Sequence, residues 1–272
     1  MLRKRKNPSL QEGFLLQLDY VSKRKRLYQV LRHKNNDYFC NRKKKRKKMK
    51  YHTLEKFASV QRMNRFFTAT GSKTGAMELY RDNLLVSQSF YPILNIAEFF
   101  LRNSLYTCIE NYFSNPEWII IEKDGFMNDL SLEKSGYYLK NCVINAENKM
   151  LRKGIIVSSG KVLTEQSFGF WVSFFEPAHY RLIGGSAIHS FPYKPSNVNR
   201  KAIFSLLSKV RDFRNRIYHN EPVCFNGIDV DFSYAGEIRN ILFDILGWME
   251  PDIKKYAQHF DNIDKKTRKY TN

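Results

Sequence analysis

The chain has 272 residues, with 46 Lys and Arg against 26 Asp and Glu, a net charge of +20 and a pI of about 9.8. Hydrophobic residues make up 43% and aromatics 15%. That is enough apolar side chain for a core, and it excludes a wholly disordered protein. The charge is uneven. Residues 1–50 carry 18 Lys and Arg against 3 Asp and Glu, leaving 28 against 23 in the other 222, so the body after the leader is only mildly basic.

The four cysteines, Cys40, Cys108, Cys142 and Cys224, are far apart and form no CxxC pair, and the six histidines are scattered. No zinc spacing results, and free thiols in a reducing cytoplasm are expected. No stretch reaches the ~18 to 20 apolar residues of a membrane span. The best, Phe90 to Tyr106, contains Glu98 and Arg102. The basic N-terminus lacks a continuous apolar segment with a cleavage site. A cytoplasmic protein with no membrane attachment is the expectation.

In chain order, residues 1–50 hold three basic clusters, Arg3 to Lys6, Lys23 to Arg26 and Arg42 to Lys48. They read as a flexible extension, either an arm for RNA phosphates or a solvated tail. Translation beginning at Met49 is a third reading. Residues 51–272 read as one helical domain. Leu54, Phe57, Ala58, Val60 and Phe67 predict an amphipathic helix from Thr53 to Phe67, capped by Thr53. Thr70 to Gly75 lacks the spacing of a phosphate-binding loop and reads as a turn. Ala76 to Phe113 predicts two helices broken near Pro92, with Glu98 and Arg102 forming an i, i+4 pair.

Asn115-Pro116 turns the chain, and Trp118 to Ile121 is a short apolar run. Leu130 to Arg152 predicts a helix with Gly154 at its C-cap. Phe168, Phe170, Trp171, Phe174 and Phe175 form an aromatic stripe that reads as core in preference to a base-stacking surface. Cys224 to Val230 reads as a turn or extended piece, Ser233 to Leu246 as a helix, Glu250-Pro251 as a break before a short helix, and the segment from Asp261 as a polar tail. Sustained period-2 alternation is absent, so periodicity predicts an all-α domain.

The stretch from Val210 to Pro222 carries the most chemistry. It ends an apolar-periodic run that begins near Val198, and Pro222 reads as a helix stop. Leu206, Val210, Phe213 and Ile217 share one face of such a helix. Arg211, Asn215 and His219, at i, i+4 and i+8, fall opposite, with Arg214 and Arg216 flanking that stripe. Imidazole exchanges a proton near neutral pH, and guanidinium matches phosphate oxygens with a permanent charge. Asn can orient the imidazole or hold a ribose hydroxyl. This set suits cleavage of RNA through its own 2′-OH, without metal or cofactor. A plain solvated helix with structural ion pairs explains the same spacing.

Arg214-Asn215-Arg216-Ile217-Tyr218-His219 resembles the RxxxxH motif of the HEPN superfamily. The longer run to Glu221-Pro222 is similar to the signature of its Abi-like (abortive infection) members, a phage-defence family. Ala97 to Asn103 and Ser167 to Ser173 are similar to two further blocks of that family, in the same order, and the resemblance spans roughly Leu54 to Gly247. Asn220 departs from it, because the family often has a second His there. The resemblance implies a HEPN-like helical bundle and a toxin-type endoribonuclease with RNA as substrate. Its RxxxxH site would be completed across a homodimer, and an antitoxin RNA or protein would hold it silent. Arg214, His219 and Asn215 are the implied catalytic residues, supported by Glu98, Arg102, Asn103, Arg211 and Arg216. A non-catalytic RNA-binding or sensor protein on the same scaffold is the alternative.

Overall fold

In a computed structural model, residues 49–270 are described. The expectations for the three basic clusters lie outside the described residues. The chain divides into two compact units between Leu54 and Glu55, a point inside the first helix, and the architecture belongs to the second unit.

The fold is mostly helical, with one two-stranded hairpin among the described residues. Its helices are α1 (Tyr51–Ala58), α2 (Val60–Thr70), α3 (Lys73–Phe113), α4 (Trp118–Ile121), α5 (Tyr138–Arg152), α6 (Ser159–Glu165), α7 (Phe168–Ser173), α8 (Pro177–Leu182), α9 (Arg200–Tyr218), α10 (Ser233–Met249), α11 (Pro251–Gln258) and α12 (Ile263–Thr267). The hairpin pairs β1 (Phe225–Asn226) with β2 (Asp229–Val230) in antiparallel register, Phe225 opposite Val230. The expected all-α class describes this architecture.

The axis of the fold is α3, 41 residues long and continuous through Pro92. The expected break there does not occur. Proline deletes one backbone hydrogen bond and crowds the preceding turn, at a cost of ~3 kcal/mol. Burial on both sides of it outweighs that cost: Val86 and Phe90 before it, Ile93, Leu94, Ala97, Leu101, Leu105 and Ile109 after it, are all at most 3% exposed. Helices α2, α7, α10, α11 and α12 pack against α3. Among the described helices only α3 is long and apolar enough to qualify as a membrane span, and 44% of its qualifying window is buried inside the fold.

Other boundaries move for local reasons. The helix expected from Thr53 is interrupted at Ser59, whose φ of 77° breaks the turn while its hydroxyl accepts from Arg62 N at 3.3 Å. Thr53 is therefore inside α1 rather than its cap. The turn expected at 70–75 narrows to Gly71, left-handed at φ 67°, and Ser72, which caps α3 through Gly75 N. Leu130 to Arg152 is a 3₁₀ turn followed by α5, because Gly136 and Tyr137 both take left-handed conformations between them. The C-cap of α5 is Lys153, and Gly154, expected in that place, is the left-handed residue just after it at φ 65°.

The aromatic stripe is core: Phe168 is 3% exposed and Phe170, Trp171, Phe174 and Phe175 are fully buried. Phe213 of α9 meets Phe90 of α3 edge-on, with ring centroids 4.7 Å apart. Cys108, Cys142 and Cys224 are free. Burial pushes the Cys224 thiol up to about 12, so it stays protonated at neutral pH.

The polar tail docks instead of trailing. Ile263 of α12 is buried, and beyond α12 Tyr270 Oη donates to Asp82 Oδ2 of α3 at 2.7 Å while Lys269 pairs with the same carboxylate. Burial alone would raise the Asp82 carboxyl. The hydrogen bonds from Lys269 and Tyr270 and the nearby charges outweigh it and hold the group below its ordinary value of 3.8. A carboxyl depressed in the folded state stabilises fully above its unfolded pKa, and that stability is lost as pH falls through the folded value. Asp82→Asn should therefore cost about 1–3 kcal/mol at pH 7 in urea denaturation, with the gap to wild type closing below about pH 4. Phe213→Ala should cost about 3–5 kcal/mol in the same assay. A cost below 1 kcal/mol would mean that α9 is not fixed by this contact.

Candidate active site

Helix α9 starts at Asn199, whose side chain accepts from Ala202 N at 3.0 Å, and buries Ile203, Leu207, Val210 and Phe213 against the core. Leu206 and Ile217, expected on that face, lie at its edges and are half-buried. Arg214 follows Val210 by four residues and Arg211 by three, so it lies between the buried stripe and the polar one. Its side chain is 26% exposed. Arg214 flanks the stripe of Arg211 and Asn215, and its side chain reaches across to Glu98 of α3.

There its Nη2 lies 3.6 Å from Glu98 Oε2, its Nη1 lies 3.4 Å from Asn215 Oδ1, and its guanidinium stacks 4.1 Å from the centre of the Tyr218 ring. The Nε is buried without a partner. All of these polar contacts are long for charge-assisted bonds, which run to ~2.7–2.9 Å. Arg214 is positioned but incompletely bonded, and it keeps donor capacity for an anion.

Glu98 thus pairs with Arg214, and the expected Glu98–Arg102 helix pair is absent. Arg102 instead lies 5.0 Å from the centre of the Phe99 ring and contacts Asn103 Oδ1 at 3.4 Å. Asn103 lines a separate recess with Cys108, Met249 and Ile253. Of the three residues expected to support the motif from α3, only Glu98 reaches it directly.

His219 caps the C-terminus of α9 and is exposed, with its backbone N–H bonded to Asn215 O at 2.9 Å. Its imidazole makes no hydrogen bond or ion pair among the described residues. The turn that carries it is tightly built. Asn220 is left-handed at φ 56°, Arg216 Nη2 donates to Pro222 O at 2.6 Å, and Asn83 Oδ1 accepts from Val223 N at 2.7 Å. Arg216 also lies 3.8 Å from Glu221. It is a strut of the turn.

Arg211, Arg214 and Asn215 line one wall of an open cleft of about 470 Å³. The other walls come from Ser135, Tyr138, the start of α7 and Glu176. Gly169 lets them converge: a Cβ there would lie 3.2 Å from Tyr138 Oη and 3.7 Å from Arg211 Cδ. Behind Glu176 sits His179, 1% exposed, with Nδ1 3.2 Å from Glu176 Oε2, close but off the line of a hydrogen bond. His179 beside it is the largest influence holding the Glu176 carboxyl below its usual range, and Ser173 and Arg211 add to the effect. Sequence reasoning did not find Tyr138, Glu176 or His179. Glu176 and His179 straddle an ordinary helix start at Pro177, and nothing in their spacing distinguishes them from caps.

A double-mutant cycle tests the pairing on α3. Glu98 and Arg214 should show a coupling of about 0.5–2 kcal/mol on truncation to Ala, and Glu98 and Arg102 less than about 0.3 kcal/mol. Reversed values would restore the helix pair. The chain matches no protein-family model, no curated protein and no solved structure.

Proposed function

We propose that this protein is a metal-independent endoribonuclease of the Abi-like, HEPN type, acting in the cytoplasm on RNA during phage infection or a comparable stress. The observation that carries the proposal is the state of Arg214: a guanidinium fixed by Glu98, Asn215 and Tyr218, with its bonding incomplete, five residues before an exposed, unengaged imidazole. Arg214 stabilises the charge of the pentacoordinate phosphorane. Asn215, bridging the two by its place on the helix, orients ribose or imidazole. His219 takes the proton from the 2′-OH or returns one to the 5′-oxygen.

One imidazole cannot do both in the same instant, so the site is completed by a second copy of the chain related by a two-fold axis. Exposed aromatic surface beside the motif supports this. Tyr91, Phe99 and Tyr218 are 57%, 47% and 46% exposed, and Leu84 and Tyr91 follow the same line along α3 as Glu98. The scaffold also suits an RNA-binding protein without turnover, in which the same cations hold phosphate.

Purified protein incubated with RNA in excess EDTA should cleave it, and His219→Ala should abolish cleavage. Because His219 is exposed and unbonded, the variant should keep its stability to within about 0.5 kcal/mol. Cleavage that requires a divalent metal, or that survives in His219→Ala, would reject this mechanism. Salt-sensitive binding with no cleavage would establish the binding protein instead.

A further inference from the structure

The cleft beside the motif combines features that a general phosphate-holding patch does not need. One wall is cationic, with Arg211 and Arg214. Arg211 spends its Nε on Asp212 Oδ1 at 3.1 Å, and its two terminal nitrogens make no hydrogen bond among the described residues. Glu176 supplies the one carboxylate among the residues lining the cleft, which also include Tyr138, Ser135, Ser167 and Ser173. His179 is almost wholly buried and stands against Oε2, while its own Nε2 has no partner. It backs the carboxylate at 3.2 Å without a hydrogen bond to it. At neutral pH that carboxylate is an acceptor only.

The two guanidiniums are held from outside the cleft by Asp212 and Glu98, and their remaining N–H groups can donate to the anionic oxygens of a phosphodiester. The carboxylate calls for a neutral donor on the same ligand, and an aromatic wall favours a flat ring. A volume of about 470 Å³ falls within the range of small-ligand sites.

We propose that this cleft is a nucleotide subsite. It would seat one nucleoside of an RNA strand, with the adjoining phosphodiester on Arg211 and Arg214, the base against Tyr138, and a hydroxyl or amino group donated to Glu176. The choice of RNA over another phosphodiester rests on the proposed function. Seating a nucleotide here fixes the strand where it approaches Arg214, so Glu176 is a positioning and selecting residue and makes no proton transfer.

The test is calorimetric titration of the full chain carrying His219→Ala, so that no ligand is consumed. The probes are a 2′-O-methyl dinucleoside monophosphate, the corresponding free nucleoside and dimethyl phosphate. The dinucleotide should bind at least about tenfold more tightly than dimethyl phosphate, the worth of one hydrogen bond to a charged group. Arg211→Gln should weaken both phosphodiesters. Glu176→Gln, which keeps the size of the side chain, should remove the tenfold preference while leaving dimethyl phosphate equally or more tightly bound, since a negative charge has gone. Equal binding of the two phosphodiesters to the parent, or a Glu176→Gln variant that keeps the preference, would overturn the subsite. Far-ultraviolet circular dichroism and thermal melts of each variant separate these outcomes from unfolding. Because the readout is binding, it stands whether or not the parent protein cleaves RNA. Cleavage of RNA by the parent together with equal binding of the two phosphodiesters would sink the subsite alone.

Discussion

A helix of 41 residues can form the axis of a domain this size only if its apolar side chains find partners along nearly its whole length, and the rest of the fold is arranged to supply them. On α3 the buried positions run from Ala76 to Ile109 and pass straight through Pro92. The missing hydrogen bond costs a few kcal/mol, whereas each large apolar side chain removed from water contributes about 1.5–3 kcal/mol. Phe90 and Ile93 bracket the proline and are fully buried. The balance therefore favours an unbroken helix, and the later segments are laid against it, down to Tyr270 on Asp82.

The same packing decides the chemistry. Because α9 is fixed to α3 through Phe213 and Phe90, the residue next to Phe213 is directed into the groove between the two helices, and that residue is Arg214. A spacing of five residues turns about 140° around an ideal helix. An arginine and a histidine so spaced cannot share one face while both remain helical. The chain resolves this by ending α9 at Tyr218, so that His219 leaves from the turn that Arg216, Asn83 and the left-handed Asn220 hold in shape. In the proposed nuclease the cation is anchored and the proton carrier is free to meet its partner's site.

Much of this was legible in the residues, and the exceptions share a cause. Apolar periodicity found α9, α10 and the core role of Phe168 to Phe175, because burial of a helical face is a local pattern. It missed the continuity of α3 at Pro92, since local propensity cannot weigh the tertiary burial that overrides it. It assigned Glu98 to Arg102 for the same reason: i, i+4 is the nearest partner along the chain, but Arg214 is the nearer in space. Glu176 and His179 became visible only once α8 was placed beside α9. The Ser59 break lies at a positive-φ residue that is neither glycine nor asparagine, so residue type carried no signal of it.

The chemical identity of the cut ends measures the central claim most directly. If Arg214 and His219 drive attack by the 2′-oxygen, RNA cleaved by the pure protein ends in 2′,3′-cyclic phosphate and begins with a 5′-hydroxyl. Ends bearing a 3′-hydroxyl and a 5′-phosphate would require water as the nucleophile, and they would contradict the mechanism.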